Sequence, residues 1–417
     1  MKKYTLVLVV FFFFSFQMHA QRNCGTMSYM SHLESMDPSV SLKMAQNEVA
    51  IRNWIKSHGS EQQKSIITIP VVVHVLYRVS VQNISDAQIQ SQIDILNEDY
   101  RRLNTDTANT PPLFDSLAAD VGIEFCFAHQ DPSGNWTDGV TRTFTSKISF
   151  DLTQNDAKYT AQGGHDAWDR DKYFNIWVVP QIKDGATGGI LGYSQFPGGP
   201  AATDGVVIGY RYFGSTGTAA APFNKGRTLT HELGHWLNLY HIWGDDNGSC
   251  AGSDQVQDTP NQASENYGCP NFPHSSCSNT SDMFMNYMDY TDDVCMNMFS
   301  EGQKQRMLAV MNTSRLSLVT SGVCEPLALR EISNADQLKV YPNPSNGEFV
   351  LDFNNLEIKG SVTVKVYNAM GQLVFEREYI DIANQESIRL SEVNSGMYMI
   401  HIISDQFSII KKIEIQR

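Results

Sequence analysis

The chain has 417 residues, more than one hydrophobic core usually serves, so two or three folded units are expected. Hydrophobic residues make up 41% and aromatics 11%, as expected of globular domains. Lys and Arg number 31 against 45 Asp and Glu, a formal charge of -14 that argues against nucleic acid as a partner and leaves calcium or basic substrates open.

In chain order, residues 1–20 read as a cleaved export signal. Lys2 and Lys3 precede the apolar run Leu6–Phe16, and Ala20 closes a cleavage site. The run is too short to span a bilayer comfortably and no later run reaches that length, so no stable membrane span is expected. Export permits disulfides, and the 7 cysteines leave at least one without a partner in the chain. Residues 21–60 are polar, with a helix expected around Val40–Ile55, and read as a pro-segment too small to fold alone.

Residues 61–324 read as an α+β domain with a mixed sheet. A β-branched strand spans Ile66–Tyr77. A helix follows, capped at Ser85, with Ile89, Ile93, Leu96 and Tyr100 at helical spacing. Further strands are expected at Ile123–Ala128, Phe174–Val179 and Gly205–Tyr210. Gly188-Gly189-Ile190-Leu191-Gly192 lacks the companions of a phosphate-binding loop and reads as a tight turn. A helix begins near Thr228, and a loop-rich stretch follows it to Cys324. Residues 325–337 read as a linker. Residues 338–417 hold no cysteine, and alternating runs such as Val362–Tyr367 and Met397–Ile402 between turns such as Ser345-Asn346-Gly347 and Met370-Gly371 predict a small all-β sandwich.

The chemistry concentrates in His231-Glu232-Leu233-Gly234-His235-Trp236-Leu237-Asn238-Leu239-Tyr240-His241. Four helical steps return nearly to the same face, so His231 and His235 can share one metal ion. Glu232, one step round, can reach a water on that metal without being a ligand. On a continued helix His241 would face elsewhere. It can join only if the helix stops and turns back, and Asn238 is a residue that tolerates the left-handed conformation such a turn needs. Other histidines, including His74, His129, His165 and His274, lack this spacing and read as structural or surface groups.

This pattern resembles the metzincin metallopeptidases, H-E-x-x-H-x-x-G-x-x-H followed by a Met-turn, with Asn238 in the Gly position. Met283-Phe284-Met285-Asn286-Tyr287-Met288-Asp289-Tyr290 is similar to the Met-turn region of the pappalysin family, nearest its ulilysin and mirolysin type. The resemblance implies a zinc endopeptidase of proteins and peptides. It places Met288 beneath the metal, with Met285 as a rival, and Tyr290 beside it as a donor to the tetrahedral intermediate. It implies the disulfides Cys250–Cys277 and Cys269–Cys295, and calcium at Asp254, the Val256 carbonyl and Thr259. Asp292 and Asp293 are candidates to favour basic residues after the scissile bond.

Cys24, in Arg22-Asn23-Cys24-Gly25, is a candidate zinc ligand that keeps a zymogen latent, which leaves Cys126 and Cys324 available as a third pair. The activating cut is expected near Lys56–Lys64. Val340-Tyr341-Pro342-Asn343-Pro344-Ser345-Asn346-Gly347 resembles the opening of the C-terminal sorting domain of type IX secretion substrates. That resemblance implies passage through an outer membrane to the cell surface or exterior, with the secretion machinery as partner. A monomer is expected. Two other readings stay open: a non-catalytic zinc-containing adhesion protein, and an amidase of cell-wall peptides.

Overall fold

A computed structural model describes residues 21–58, 65–246, 248–324, 338–354, 361–368, 372–380, 382–391, 393–404 and 408–416. The expected export signal, the linker 325–337, the Met370-Gly371 turn and part of the expected activation segment lie outside the described residues. The chain divides into two compact units that meet at Cys324/Glu325.

The first unit opens with two helices, α1 (Thr26–Met36) and α2 (Ser39–His58). The residues read as a pro-segment therefore do have structure, and they gain it by docking. Tyr29, Met30, Leu33 and Val40 are buried against residues of the sheet and its neighbouring loops, and Ile51 enters the main core.

That core is a mixed sheet of β1 (Ile67–Tyr77), β2 (Ile123–Phe127), β3 (Val140–Phe144), β5 (Phe174–Val179), β8 (Gly192–Ser194) and β9 (Val206–Gly209), in the order β2-β1-β5-β9-β8 with β3 also on β1. β1 pairs parallel with β2, β3 and β5, and β5 pairs parallel with β9. Its run Val71-Val72-Val73 is buried on both faces, as parallel strands require. Only β8 runs antiparallel in this sheet among the described residues. A smaller sheet holds β4 (Phe150–Asp151), β6 (Ile182–Asp184) and β7 (Thr187–Ile190).

Helix α3 (Asp86–Tyr100) is capped by Ser85, whose side chain accepts from the Gln88 amide, and it buries Ile89, Ile93, Leu96 and Tyr100 as its spacing predicts. After the short α4 (Pro112–Asp115), α5 (Arg227–Trp236) runs through the interior with every residue buried. Residues 237–300 contain no helix or ladder strand among those described. Disulfides Cys250–Cys277 and Cys269–Cys295 hold this stretch. A third, Cys126–Cys324, joins β2 to the end of the unit beyond α6 (Glu301–Met311) and α7 (Leu316–Val319).

One expectation is corrected. The glycine-rich segment 188–192 is not a tight turn. It lies extended in β7 and β8, and β8 is the sheet edge beside α5. Gly192 serves close approach: a Cβ there would stand 2.7 Å from Ile208 Cδ1 and 2.9 Å from Glu232 Cγ.

The second unit contains two antiparallel sheets. One has β10 (Lys339–Tyr341), β11 (Glu348–Asp352) and β14 (Gln385–Arg389). The other has β12 (Val362–Asn368), β13 (Leu373–Tyr379), β15 (Gly396–Ser404) and β16 (Ser408–Ile415). Phe349 and Leu351 from the first share one core with Val362, Val364, Val366, Ile400, Ile402 and Ile413 from the second, which makes a sandwich. On β12 these valines alternate with the half-exposed Thr363 and Lys365, the period of a sheet with one wet face.

Candidate active site

Helix α5 carries His231 and His235 and ends one residue after His235, at Trp236. Asn238 has φ 66°, in the left-handed region. Its amide donates to the His235 carbonyl at 2.8 Å, and the Leu239 amide donates to the Gly234 carbonyl at 2.9 Å. These two bonds are the helix-ending Schellman pattern, and they reverse the chain so that His241 returns.

The three rings converge. Each Nδ1 is engaged: His231 with the Tyr287 carbonyl at 2.7 Å, His235 with the Leu239 carbonyl at 2.8 Å, and His241 with Asp245 Oδ1 at 2.8 Å. The proton therefore sits on Nδ1, and each Nε2 offers a lone pair. His235 Nε2 lies 3.1 Å from both His231 Nε2 and His241 Nε2. Lone pairs this close repel unless a cation lies between them. A tetrahedral zinc with Zn–N bonds of about 2.0 Å puts its ligand nitrogens about 3.3 Å apart, so the donor set fits that ion. Burial, with the neighbouring rings, depresses the pKa values of His231 and His235 well below the imidazole range, which keeps them neutral donors. Cys24 Sγ completes the cluster, and the four ligand atoms lie within 4.8 Å of one another.

Glu232 points to the same space from the next step of the helix. Burial raises its carboxyl to about 7, opposed by hydrogen bonds from Thr26 and Cys24. Thr26 Oγ1 donates to Glu232 Oε2 at 2.8 Å, and Cys24 Sγ lies 3.4 Å from the same oxygen. Both partners belong to the segment before α2. Burial and then the Glu232 charge push the Cys24 thiol up, so it ionises only against a cation.

Met288, fully buried, lies under the helix: a Cβ at Gly234 would be 2.4 Å from its Sδ. Gly234 is thus the residue that lets this turn press against α5, and Met285 does not make that approach. The Tyr290 ring stands 5.7 Å from that of His231 and 5.1 Å from that of His241. Burial, with Cys24 and Glu232 nearby, holds its phenol above the ordinary range.

Arg22 and Asp293 form a buried pair at 2.5 Å. The guanidinium also reaches the Thr291 carbonyl and Thr228 Oγ1, each at 3.3 Å. Asp293 Oδ2 is held by the amides of Lys225 at 2.7 Å and Arg227 at 3.3 Å. Of the two acidic neighbours, Asp293 meets Arg22, while the Asp292 amide donates to the Gly268 carbonyl.

The chain from Arg22 to Thr26 lies along β8. The Leu191 amide donates to the Asn23 carbonyl at 2.9 Å, Gly25 to Gly192 at 2.9 Å, and the Ser194 amide to Thr26 Oγ1 at 2.8 Å. Further on, Glu48 of α2 pairs with Arg306 at 2.8 Å and accepts from Asn238 Nδ2 at 3.3 Å.

The Asp254 loop is also assembled. Asp254 accepts from the Val256 amide at 3.0 Å and from Thr259 Oγ1 at 2.7 Å, and the Val256 carbonyl lies 3.4 Å from that hydroxyl. Two groups at the site escaped the motif reading, Asp245 and Thr26. Asp245 had a local signal, a carboxylate four residues past His241. Thr26 had none.

Residues 158–312 match the model of the M43 peptidase family, described as pregnancy-associated plasma protein-A. Residues 339–416 match the model of the secretion-system C-terminal sorting domain, the type IX tail. An extracellular metalloprotease of Arthroderma benhamiae is 32% identical over 58% of this chain and 76% of its own length. One from Pyricularia oryzae is 32% identical over 66% of this chain and 83% of its own. Promirolysin from Tannerella forsythia is 47% identical, covers 73% of this chain and 98% of its own, and superposes with a TM-score of 0.64. Mature mirolysin from the same organism, in complex with a cleaved peptide, is 50% identical over 63% of this chain and 98% of its own, with a TM-score of 0.59.

Proposed function

The chain belongs to the M43 family of metallopeptidases, and from that premise we propose that it is a secreted zinc endopeptidase made as a latent zymogen. The observation that carries this reading is the convergence of three imidazoles and the Cys24 sulfur on one point beside Glu232.

His231, His235 and His241 would hold zinc. When bound, the ion supplies a Lewis acid that polarises the scissile carbonyl and acidifies a water. Glu232 would accept the proton of the attacking water and later deliver it to the leaving amine. Tyr290 donates to the developing oxyanion. Met288 supports the ligand-bearing helix from below, and Asp245 fixes the His241 ring. In protein freed of the pro-segment, Glu232→Ala should lower casein cleavage by about a hundred- to ten-thousandfold while bound zinc, measured by metal analysis, stays stoichiometric. Equal cleavage by both proteins would overturn the mechanism, and no cleavage by the parent would favour a non-catalytic zinc protein. Cleavage confined to cell-wall peptides would favour the amidase.

Latency is assigned to the segment before residue 60. Cys24 takes the position the catalytic water needs, and the Thr26 hydroxyl occupies the base. Cys24→Ala should speed the appearance of processed protein several-fold in a gel time course, and unchanged kinetics would count against the switch. A preference for basic residues after the scissile bond is supported by Arg22, whose guanidinium already fills the Asp293 site in the latent protein. Calcium at Asp254, the Val256 carbonyl and Thr259 would brace the loop, supported by the approach of these three groups. Chelation at constant zinc should then lower Tm, and calcium should restore it. Residues 338–417 would serve export to the cell surface or exterior and be removed there, supported by the sorting-domain match.

A further inference from the structure

Tyr29 of α1 is fully buried, and its phenol is bonded on more than one side. Its hydroxyl donates to Asn155 Oδ1 at 2.6 Å, with Gln195 Oε1 at 3.4 Å as an alternative acceptor, and it accepts from Lys158 Nζ at 3.2 Å. Lys158 is itself fully buried, and its other hydrogen bond goes to the Thr203 carbonyl at 2.7 Å. Its ammonium lies 4.5 Å from the Tyr29 ring centre, 5.0 Å from that of Tyr193 and 5.4 Å from that of Trp177. The Tyr29 and Tyr193 rings touch, with centroids 4.8 Å apart.

This pocket shares an edge with the catalytic centre. Tyr193 follows Gly192 on β8, and Gly192 is pressed against Glu232. Phe196, to whose amide Met30 Sδ lies at 3.4 Å, stacks edge-on to His235 at 5.5 Å. Along the chain, then, Arg22 lies at Asp293, Cys24 among the histidines, and Tyr29, one turn into α1, beyond them. Once the pro-segment leaves, Lys158 keeps the Thr203 carbonyl and loses the hydroxyl. A ligand that covers this ammonium again without offering it an acceptor meets the cost of a buried unpaired group, so the pocket favours a ligand that restores that bond.

We propose that the Tyr29 pocket is a substrate subsite of the processed enzyme, on the side of the histidines away from Asp293, and that Lys158 makes it selective for a tyrosine side chain. The proposal rests on the peptidase reading above. Apolar walls take the ring, and the lysine and Asn155 take the hydroxyl. With Tyr29 in place, burial lowers the Lys158 ammonium to about 7 against the pull of Asp204.

The test uses protein processed from the full chain and peptides with Arg after the cut and Tyr, Phe, Leu or Glu at each of the four preceding positions. At one position Tyr should exceed Phe in kcat/KM by about tenfold, because a site built to bond a hydroxyl discriminates against its absence. Lys158→Met should bring that ratio to about one. A ratio near one at every position in the parent enzyme, a preference for Glu, or a Tyr/Phe ratio untouched by Lys158→Met would each overturn the subsite. Failure to cleave any peptide would instead sink the peptidase reading. Should Lys158→Met not fold, inhibition by a synthetic Gln21–Met36 peptide decides. It should inhibit the parent enzyme about tenfold more tightly than its Tyr29→Phe form, and equal inhibition would overturn the proposal.

Discussion

His74 lies on β1 with its ring buried, between Thr141 Oγ1 at 2.8 Å and Asn175 Oδ1 at 3.1 Å, and stacked 4.3 Å from His165. Burial first, then the His165 charge, lowers its pKa to about 3. An unfolded histidine titrates near 6.5. The folded state therefore refuses a proton that the unfolded state takes, and stability present above pH 6.5 is lost as pH falls toward 3. The loss from this residue approaches ~1.4 kcal/mol per pH unit. His74→Phe should cost about 1–3 kcal/mol at pH 8, from the lost bonds to Asn175 and Thr141, yet flatten the decline measured by urea melts between pH 6.5 and 4. An unaltered slope would assign acid sensitivity elsewhere. Asn238 makes the complementary case. At φ 66° a β-branched residue is strained, so Asn238→Val should cost about 1–2 kcal/mol and weaken zinc retention under chelator, whereas Asn238→Gly should be close to neutral.

At the scale of elements, α5 was legible because its ligands are neighbours in sequence. Spacing alone stated where the helix must stop, and Asn238 stood there. The strand β8 was not legible. Its one glycine, Gly192, carries no signal of the Glu232 side chain that approaches it, since that contact spans from residue 192 to residue 232 across the fold. Likewise Lys158 reads as an ordinary surface lysine until α1 covers it. Helix α2 was foreseen near its true limits, but its reach was not. Glu48 links it to Arg306, which in turn donates to the Asn238 carbonyl at 3.2 Å. Glu48→Gln should loosen this hold at a distance from the ligands and hasten processing several-fold. The processed enzyme, which lacks residue 48, should then show parental activity on casein. Parental processing kinetics would mean that the α1 contacts alone secure the segment.

At the scale of the whole molecule, the division into a mixed α+β unit and a small β sandwich was readable from composition, because cysteines stop at Cys324 and period-two alternation takes over. What composition could not say is which cysteines meet. Cys126 and Cys324, 198 residues apart, are joined, and in the chain-entropy view a closure of that length contributes about 5 kcal/mol. Replacing both by Ala should lower Tm markedly in the absence of reductant, and the further fall on adding reductant, which then opens only Cys250–Cys277 and Cys269–Cys295, should be smaller than in the parent. The same bond has a consequence of another kind. A peptidase is a substrate of its own copies, and under the proposed preference for basic residues the lysines and arginines between residues 126 and 324 would be where it wounds its siblings. Within that ring a single cut opens the chain without dividing it, and the fragments stay tethered. Nicked molecules should run as one band without reductant and as two with it, and they should still digest casein. The longest crosslink in the molecule thus confers tolerance of injury as well as stability.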